Sequence, residues 1–320
     1  MKTEVEKKGG AARVLKIIGL VVLSIIILAA IGLFMLSKRP AAPKNYTSTV
    51  KTGGEIEATY IAMGQHEVKS VSMAGMHSFK QFEIWYPADM TEKTPVVIFV
   101  NGTGIKTSKY TAVLEHLASW GFITIGTEEE YAWNGFSAEM CYRLMERLDT
   151  QAEVDGWEEN PFFGKIDFDN IGISGHSQGG VGVINAITDT QHADGYKAAF
   201  AASPANKELS HALMWDNDAS KITIPILILS STGDADENLV VNGAQVNEIY
   251  DDIIQSPMKV LARRNDANHG DMLYFSDGYM TAWFMWQLQG DMDAAKAFIG
   301  VAPELLENPL YQDQRIDGSK

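Results

Sequence analysis

The five residues Gly175-His176-Ser177-Gln178-Gly179 constrain this chain more than any other stretch, because a strand pattern runs into them and a helix pattern runs out. Upstream, Asp169-Asn170-Ile171-Gly172-Ile173-Ser174 is a polar lead-in to a short buried strand. Downstream, Gly180-Val181-Gly182-Val183-Ile184-Asn185-Ala186-Ile187 reads as a closely packed helix. A strand that passes straight into a helix must turn sharply, and small residues at 175, 179 and 180 permit the turn. It lifts the Ser177 hydroxyl clear of the sheet edge and leaves backbone N–H groups beside it at a helix N-terminus. An ordinary Gly-rich strand-to-helix turn has the same pattern, so the rest of the chain must supply partners.

A serine hydroxyl is a weak nucleophile and needs a base, with an acid to hold that base in one tautomer. After an elbow of this kind the acid follows a later strand and the histidine comes last. Of seven histidines only His269 lies beyond both the serine and the candidate acids, in the turn-rich loop Asn265-Asp266-Ala267-Asn268-His269-Gly270-Asp271. His176 beside the serine reads as shaping the pocket. His66, His77, His116, His192 and His211 read as ordinary surface or packing residues. The buried strand Pro225-Ile226-Leu227-Ile228-Leu229-Ser230-Ser231-Thr232 is followed by two acids. Counting outward from the strand end favours Asp234, with Asp236 as the alternative acid.

An oxyanion is expected to be held by the amide after the nucleophile and by one from the loop after an early strand. Thr94-Pro95-Val96-Val97-Ile98-Phe99-Val100 is such a strand, running into Asn101-Gly102-Thr103-Gly104. The backbone N–H groups of Thr103 and Gln178 are therefore the expected donors. A phosphate-binding reading of this Gly-rich loop lacks both G-x-x-x-x-G-K-[ST] and G-x-G-x-x-G.

Strand patterns at about 56–62, 67–72 and 79–86 predict an antiparallel start to a sheet, joined by Gly121-Phe122-Ile123-Thr124-Ile125-Gly126. Helical periodicity at 109–120 and 138–148 then alternates with strands near 169–174, 197–202, 224–231 and 258–263. The expected fold is α/β, with a mostly parallel central sheet flanked by helices in one domain spanning 55–320. Serine, acid and histidine all fall at the carboxyl ends of strands, where such sheets bind ligands.

With these residues in view, the chain resembles the α/β-hydrolase superfamily of serine esterases. The similar branch includes cutinase-like polyester hydrolases, chlorophyllases, dienelactone hydrolases and platelet-activating-factor acetylhydrolase-like esterases. Asn160-Pro161-Phe162-Phe163-Gly164-Lys165-Ile166-Asp167 is similar to the polyester hydrolases' approach to the nucleophile. Tyr279-Met280-Thr281-Ala282-Trp283-Phe284 with Gly290-Asp291 resembles their last helix. The resemblance covers roughly 55–300 and implies carboxylic ester hydrolysis through an acyl-enzyme. It implies Ser177 as nucleophile, His269 as base, Asp234 as acid, and Thr103 and Gln178 as oxyanion donors. The chain departs from the polyester hydrolases in having Gln178 where they commonly have Met, and in lacking an aromatic after the next strand (Ala201-Ala202-Ser203-Pro204-Ala205-Asn206). Their frequent C-terminal disulfide is also missing, since Cys141 stands alone and can form no intrachain bridge. Two other classes remain open: a serine amidase or peptidase acting on envelope peptides, and a non-catalytic binding protein of the same fold.

The stretch 17–36 carries no charged residue, and its length as a helix, about 30 Å, matches the hydrocarbon thickness of a bilayer. It ends in Phe34-Met35-Leu36-Ser37-Lys38-Arg39-Pro40, large residues followed by charges, rather than the small residues of a cleavage site. An uncleaved transmembrane signal anchor is expected, with 1–16 cytoplasmic and 37–54 a tether rich in Pro, Ala and Thr. Lys2, Lys7, Lys8, Arg13 and Lys16 before the span outnumber Lys38, Arg39 and Lys44 after it, placing the domain on the extracytoplasmic side of a cell membrane. The net charge of −15 argues against nucleic acid and against adhesion of the domain to anionic lipid. The expected partners are a small-molecule, lipid or polymer ester and the membrane itself. No His, Cys and acid cluster has metal-ligand spacing, so neither metal nor cofactor is expected. Glu128-Glu129-Glu130, with Tyr131, Trp133 and Phe136 after it, lies near the expected site; those aromatics, like Trp157, Phe162 and Phe163, read equally as groove lining or as core.

Overall fold

The structure, a computed structural model, describes residues 39–75 and 79–318. The apolar run expected to span a membrane lies outside the described residues, as does His77. Among the described residues no helix is long and apolar enough to cross a membrane.

Strands β1 (Val68–Ala74), β2 (Gln81–Pro87), β3 (Thr94–Val100), β4 (Ile123–Thr127), β5 (Ile166–His176), β6 (Ala198–Ala202), β7 (Ile226–Ser231), β8 (Met258–Arg264) and β9 (Tyr311–Gly318) form one sheet. Their order is β1-β2-β4-β3-β5-β6-β7-β8-β9. From β4 through β8 the neighbours pair parallel, and the pairings at both margins are antiparallel. The central strands read as unbroken apolar runs because both faces are covered. In β7, Ile226 and Ile228 point into one core layer and Leu227 and Leu229 into the other.

The first layer is filled by helices α3 (Phe136–Thr150), α4 (Gln178–Asp189) and α5 (Gly243–Asp252). The second is filled by α1 (Glu55–Ile61), part of α2 (Thr111–Ser119) and α6 (Asp277–Gln289). Each fully buried Ile, Leu or Phe contributes about 1.5–3 kcal/mol to this packing, so the sheet is a rigid platform for the loops at its carboxyl edge.

Two expectations are corrected, and one strand is added to those the sequence predicts. The strand at about 56–62 is instead the helix α1. Its alternation of Ile56, Ala58 and Tyr60 imitates a strand, but the residues buried are Glu57, Tyr60 and Ile61, at helical spacing. The Glu304 carboxylate caps it from far along the chain, accepting the Ile56 N–H at 2.7 Å and the Glu57 N–H at 2.9 Å. The tether expected at 37–54 belongs to the fold from Ala41 onward. Ala42 and Tyr46 are buried, the Ala41 N–H donates to the Lys109 carbonyl, and the Tyr46 hydroxyl donates to Asp277. Finally β9, whose polar sequence gives no strand signal, closes the sheet beside β8.

Candidate active site

β5 delivers Ser177 to the carboxyl edge between β3 and β6. Ser177 is the N-cap of α4 with φ 60° and ψ −122°, a left-handed conformation that costs a non-glycine residue about 1–3 kcal/mol. Its N–H donates to the Ala202 carbonyl at 2.9 Å, which ties the turn to β6. Glycine is required beside it: a Cβ on Gly179 would lie 2.1 Å from the Val100 carbonyl oxygen, and one on Gly175 2.3 Å from that of Gly179. The strand-to-helix turn read from the sequence is thus a tight backbone crossing.

The histidine loop after β8 places the His269 Nδ1 2.6 Å from Asp236 Oδ1. A carboxylate only accepts, so Nδ1 carries the proton, and in the neutral ring that leaves Nε2 as the acceptor. The partner is therefore Asp236 and not Asp234. β7 ends at Ser231, and the chain then winds into one turn of π-helix, Asp236–Val240, which swings Asp236 inward while Asp234 stays exposed. Counting from the strand end assumed an extended loop and so stopped two residues short.

Asp236 is fully buried and both its oxygens are engaged. Oδ2 accepts the Ser203 hydroxyl at 2.7 Å, the Ser231 N–H at 2.9 Å and the Ser231 hydroxyl at 2.5 Å. Burial pushes its carboxyl up, but the hydrogen bond and charge of His269 and the hydroxyls of Ser231 and Ser203 outweigh it and hold the group below the usual carboxylate range. Ser203 and Ser231 were not singled out by sequence; their one signal is a polar end to an otherwise apolar strand.

His176 has a task its position beside Ser177 did not reveal. Its Nε2 donates to the His269 backbone carbonyl at 2.8 Å, and the two rings lie 4.5 Å apart. The ring is buried, and burial, seconded by the charge of His269, pushes its pKa down to about 3. It is a neutral strut between the strand that ends at Ser177 and the loop that carries His269. Its Nδ1 has no partner among the described residues.

Between β3 and α2, the Gly102 N–H donates to Tyr110 Oη at 3.1 Å and the Gly104 N–H to the Glu130 carbonyl at 2.8 Å. The Thr103 N–H between them has no acceptor among the described residues. The Gln178 N–H, in the first turn of α4, lacks an intrahelical partner by helix geometry. The Gln178 side chain turns inward instead, its Oε1 accepting the Ala132 N–H at 2.9 Å.

Of the aromatics, Tyr131 is exposed, next in the chain to Ala132, whose N–H meets Gln178. Phe136 is half-exposed and meets Phe79 edge-on, while Phe162 is core and packs against Tyr86 and Trp157. Among the described residues no group of three His, Cys, Asp or Glu is placed to hold a metal ion.

Compared with known proteins, residues 46–297 match the family model PETase, described as PET hydrolase-like. A comparison with curated proteins finds no match.

Proposed function

The chain belongs to the PET hydrolase-like family of α/β-hydrolases, whose members act on esters, and on that premise we propose that it is a serine carboxylic-ester hydrolase with Ser177, His269 and Asp236 as its triad. The observation that carries this reading is the 2.6 Å contact between His269 Nδ1 and a buried, fully hydrogen-bonded Asp236, beside a serine held in the strained turn of a strand-to-helix elbow.

Ser177 Oγ attacks the ester carbonyl carbon while its proton passes to His269 Nε2. The carbonyl π pair moves onto oxygen, where the amides of Thr103 and Gln178 receive it. Asp236 stabilises the imidazolium across the Nδ1 contact. Collapse of the tetrahedral adduct expels the alcohol oxygen, which takes the proton from Nε2. Water, deprotonated by the same nitrogen, then attacks the acyl carbon, and collapse of the second adduct releases the acid while Ser177 Oγ takes the proton back from Nε2. Each oxyanion donor supplies on the order of 10² to 10³ in rate.

The apolar run at 17–36 would anchor this domain to a membrane, and the positive flank before it would set the domain on the extracytoplasmic side. The ester would then be met outside the cytoplasm.

The test is hydrolysis of p-nitrophenyl esters from acetyl to palmitoyl by the wild type and Ser177→Ala. Turnover that disappears in the variant supports the reading, and the best chain length separates small-ester from lipid or polymer substrates. Turnover surviving in Ser177→Ala would sink it. Amide cleavage with no esterase activity at any chain length would favour the peptidase reading.

A further inference from the structure

The acidic run Glu128-Glu129-Glu130 is more than a solvated surface, because each member is tied to a different neighbour. The Glu128 carboxylate accepts the Ser108 N–H at 2.8 Å and the Ser108 hydroxyl at 2.9 Å, capping the turn Thr107–Lys109. The Glu129 carboxylate accepts the Lys80 N–H at 2.8 Å. The Glu130 carbonyl accepts the Gly104 N–H. The run is rooted in the sheet by the Glu128 N–H, which donates to the Gln81 carbonyl at 2.8 Å.

Asn101, buried at the end of β3, grips the same segment. Its Nδ2 donates to the carbonyls of Thr127 at 2.6 Å and Glu129 at 2.8 Å, and its Oδ1 accepts the buried Thr107 hydroxyl at 2.8 Å. Two residues beyond Glu130, the Ala132 N–H is held by Gln178. Ala132 can approach α4 because position 182 is glycine: a Cβ there would lie 2.3 Å from the Ala132 carbonyl oxygen. One short segment, 127–132, therefore touches both the loop that carries the free amide of Thr103 and the helix that begins with the free amide of Gln178.

We infer that segment 127–132 is a brace that fixes the spacing of the two oxyanion donors, with Asn101 as its positioning residue. Asn101 does not touch substrate. It sets where the Thr103 N–H points, by holding the loop on one side through Thr107 and on the other through the carbonyls of 127 and 129. This rests on the ester-hydrolase reading above and adds to it what sets the geometry of the oxyanion site. A displacement of about 1 Å in such a donor costs on the order of 10² in rate.

The test replaces Asn101 by Asp, which keeps the shape but loses both donors, and separately Thr107 by Val, which removes only the hydroxyl contact. Each is measured for kcat, KM and inhibition by a boronic acid, whose tetrahedral adduct presents an oxygen where the oxyanion forms. The brace predicts kcat lower by about 10- to 100-fold in Asn101→Asp, less in Thr107→Val, KM within about threefold, and boronate affinity falling in step with kcat. Undiminished kcat in both variants, or kcat falling while boronate affinity holds, would overturn it. Ser177→Ala run alongside separates the two failures. Turnover persisting in that variant overturns the ester-hydrolase reading itself, whereas turnover lost there but intact in the Asn101 and Thr107 variants overturns only the brace.

Discussion

In Asp236→Asn the amide oxygen takes the place held by the Ser203 and Ser231 donors and the NH2 group faces His269 Nδ1, which imposes the wrong tautomer, so kcat should fall by about 10⁴, while Asp234→Asn, an exposed change, should leave it within twofold of wild type. Esterase rates of the two purified variants decide between them. Stability should also depend on pH. His176 in the folded chain is held down to about 3, below its value of roughly 6.5 in an unfolded chain. Between those values the unfolded chain binds a proton that the native state refuses, so stability is present at neutral pH and is lost as pH falls through that window. Asp236, held below its unfolded value, adds stability that is present above about pH 4 and lost on further acidification. Melting curves from pH 7 to 4 should therefore slope less for His176→Phe than for wild type, and an unchanged slope would refute the buried neutral ring.

At the scale of elements, the elbow depends on how closely α4 seats on β3. Gly179→Ala sets a Cβ against the rigid Val100 backbone, where no side chain can swing away. Overpacking of this kind costs about 1–3 kcal/mol or more, so the variant should melt several degrees lower and lose activity together with that shift. Thermal melts and esterase assays on the same sample check it. The π-turn Asp236–Val240 is the second such device. Arg263 anchors it, donating to the Ser231 carbonyl at 3.1 Å and to Glu237, while its other arm reaches Asp313 of β9. The turn that aims Asp236 at His269 is thus held from the far edge of the sheet.

Across the whole molecule, the N- and C-terminal parts of the folded domain are joined by a buried charge cluster. Glu57 of α1 accepts from Arg264 at 2.9 Å, Asn308 at 2.9 Å and Tyr311 at 3.0 Å, and Arg264 also donates to the Lys51 carbonyl. Glu57→Ala would strand the Arg264 charge in the core at a cost of about 3–5 kcal/mol. Tyr311→Phe removes one hydrogen bond to a charged group and should cost about 1.5–3 kcal/mol. Denaturant titrations of the two variants test the ranking, and equal losses would show that the cluster does not carry a buried charge.

The sequence determined what is local or set by order along the chain. Alternating strand and helix patterns gave a parallel sheet between two helical layers. Small residues around Ser177 marked the elbow, and His269 was reached because it alone follows both the serine and the acids. Tertiary structure decided whatever depends on groups distant in sequence. Which acid meets His269 turned on a π-turn held by Arg263 from the neighbouring strand. Segment 55–61 became a helix because Glu304 caps it and Arg264 receives its buried Glu57. His176 found a carbonyl 93 positions further along the chain. Periodicity records which face of an element is buried; it carries no record of which polar group waits there, because that group arrives only when the chain has folded.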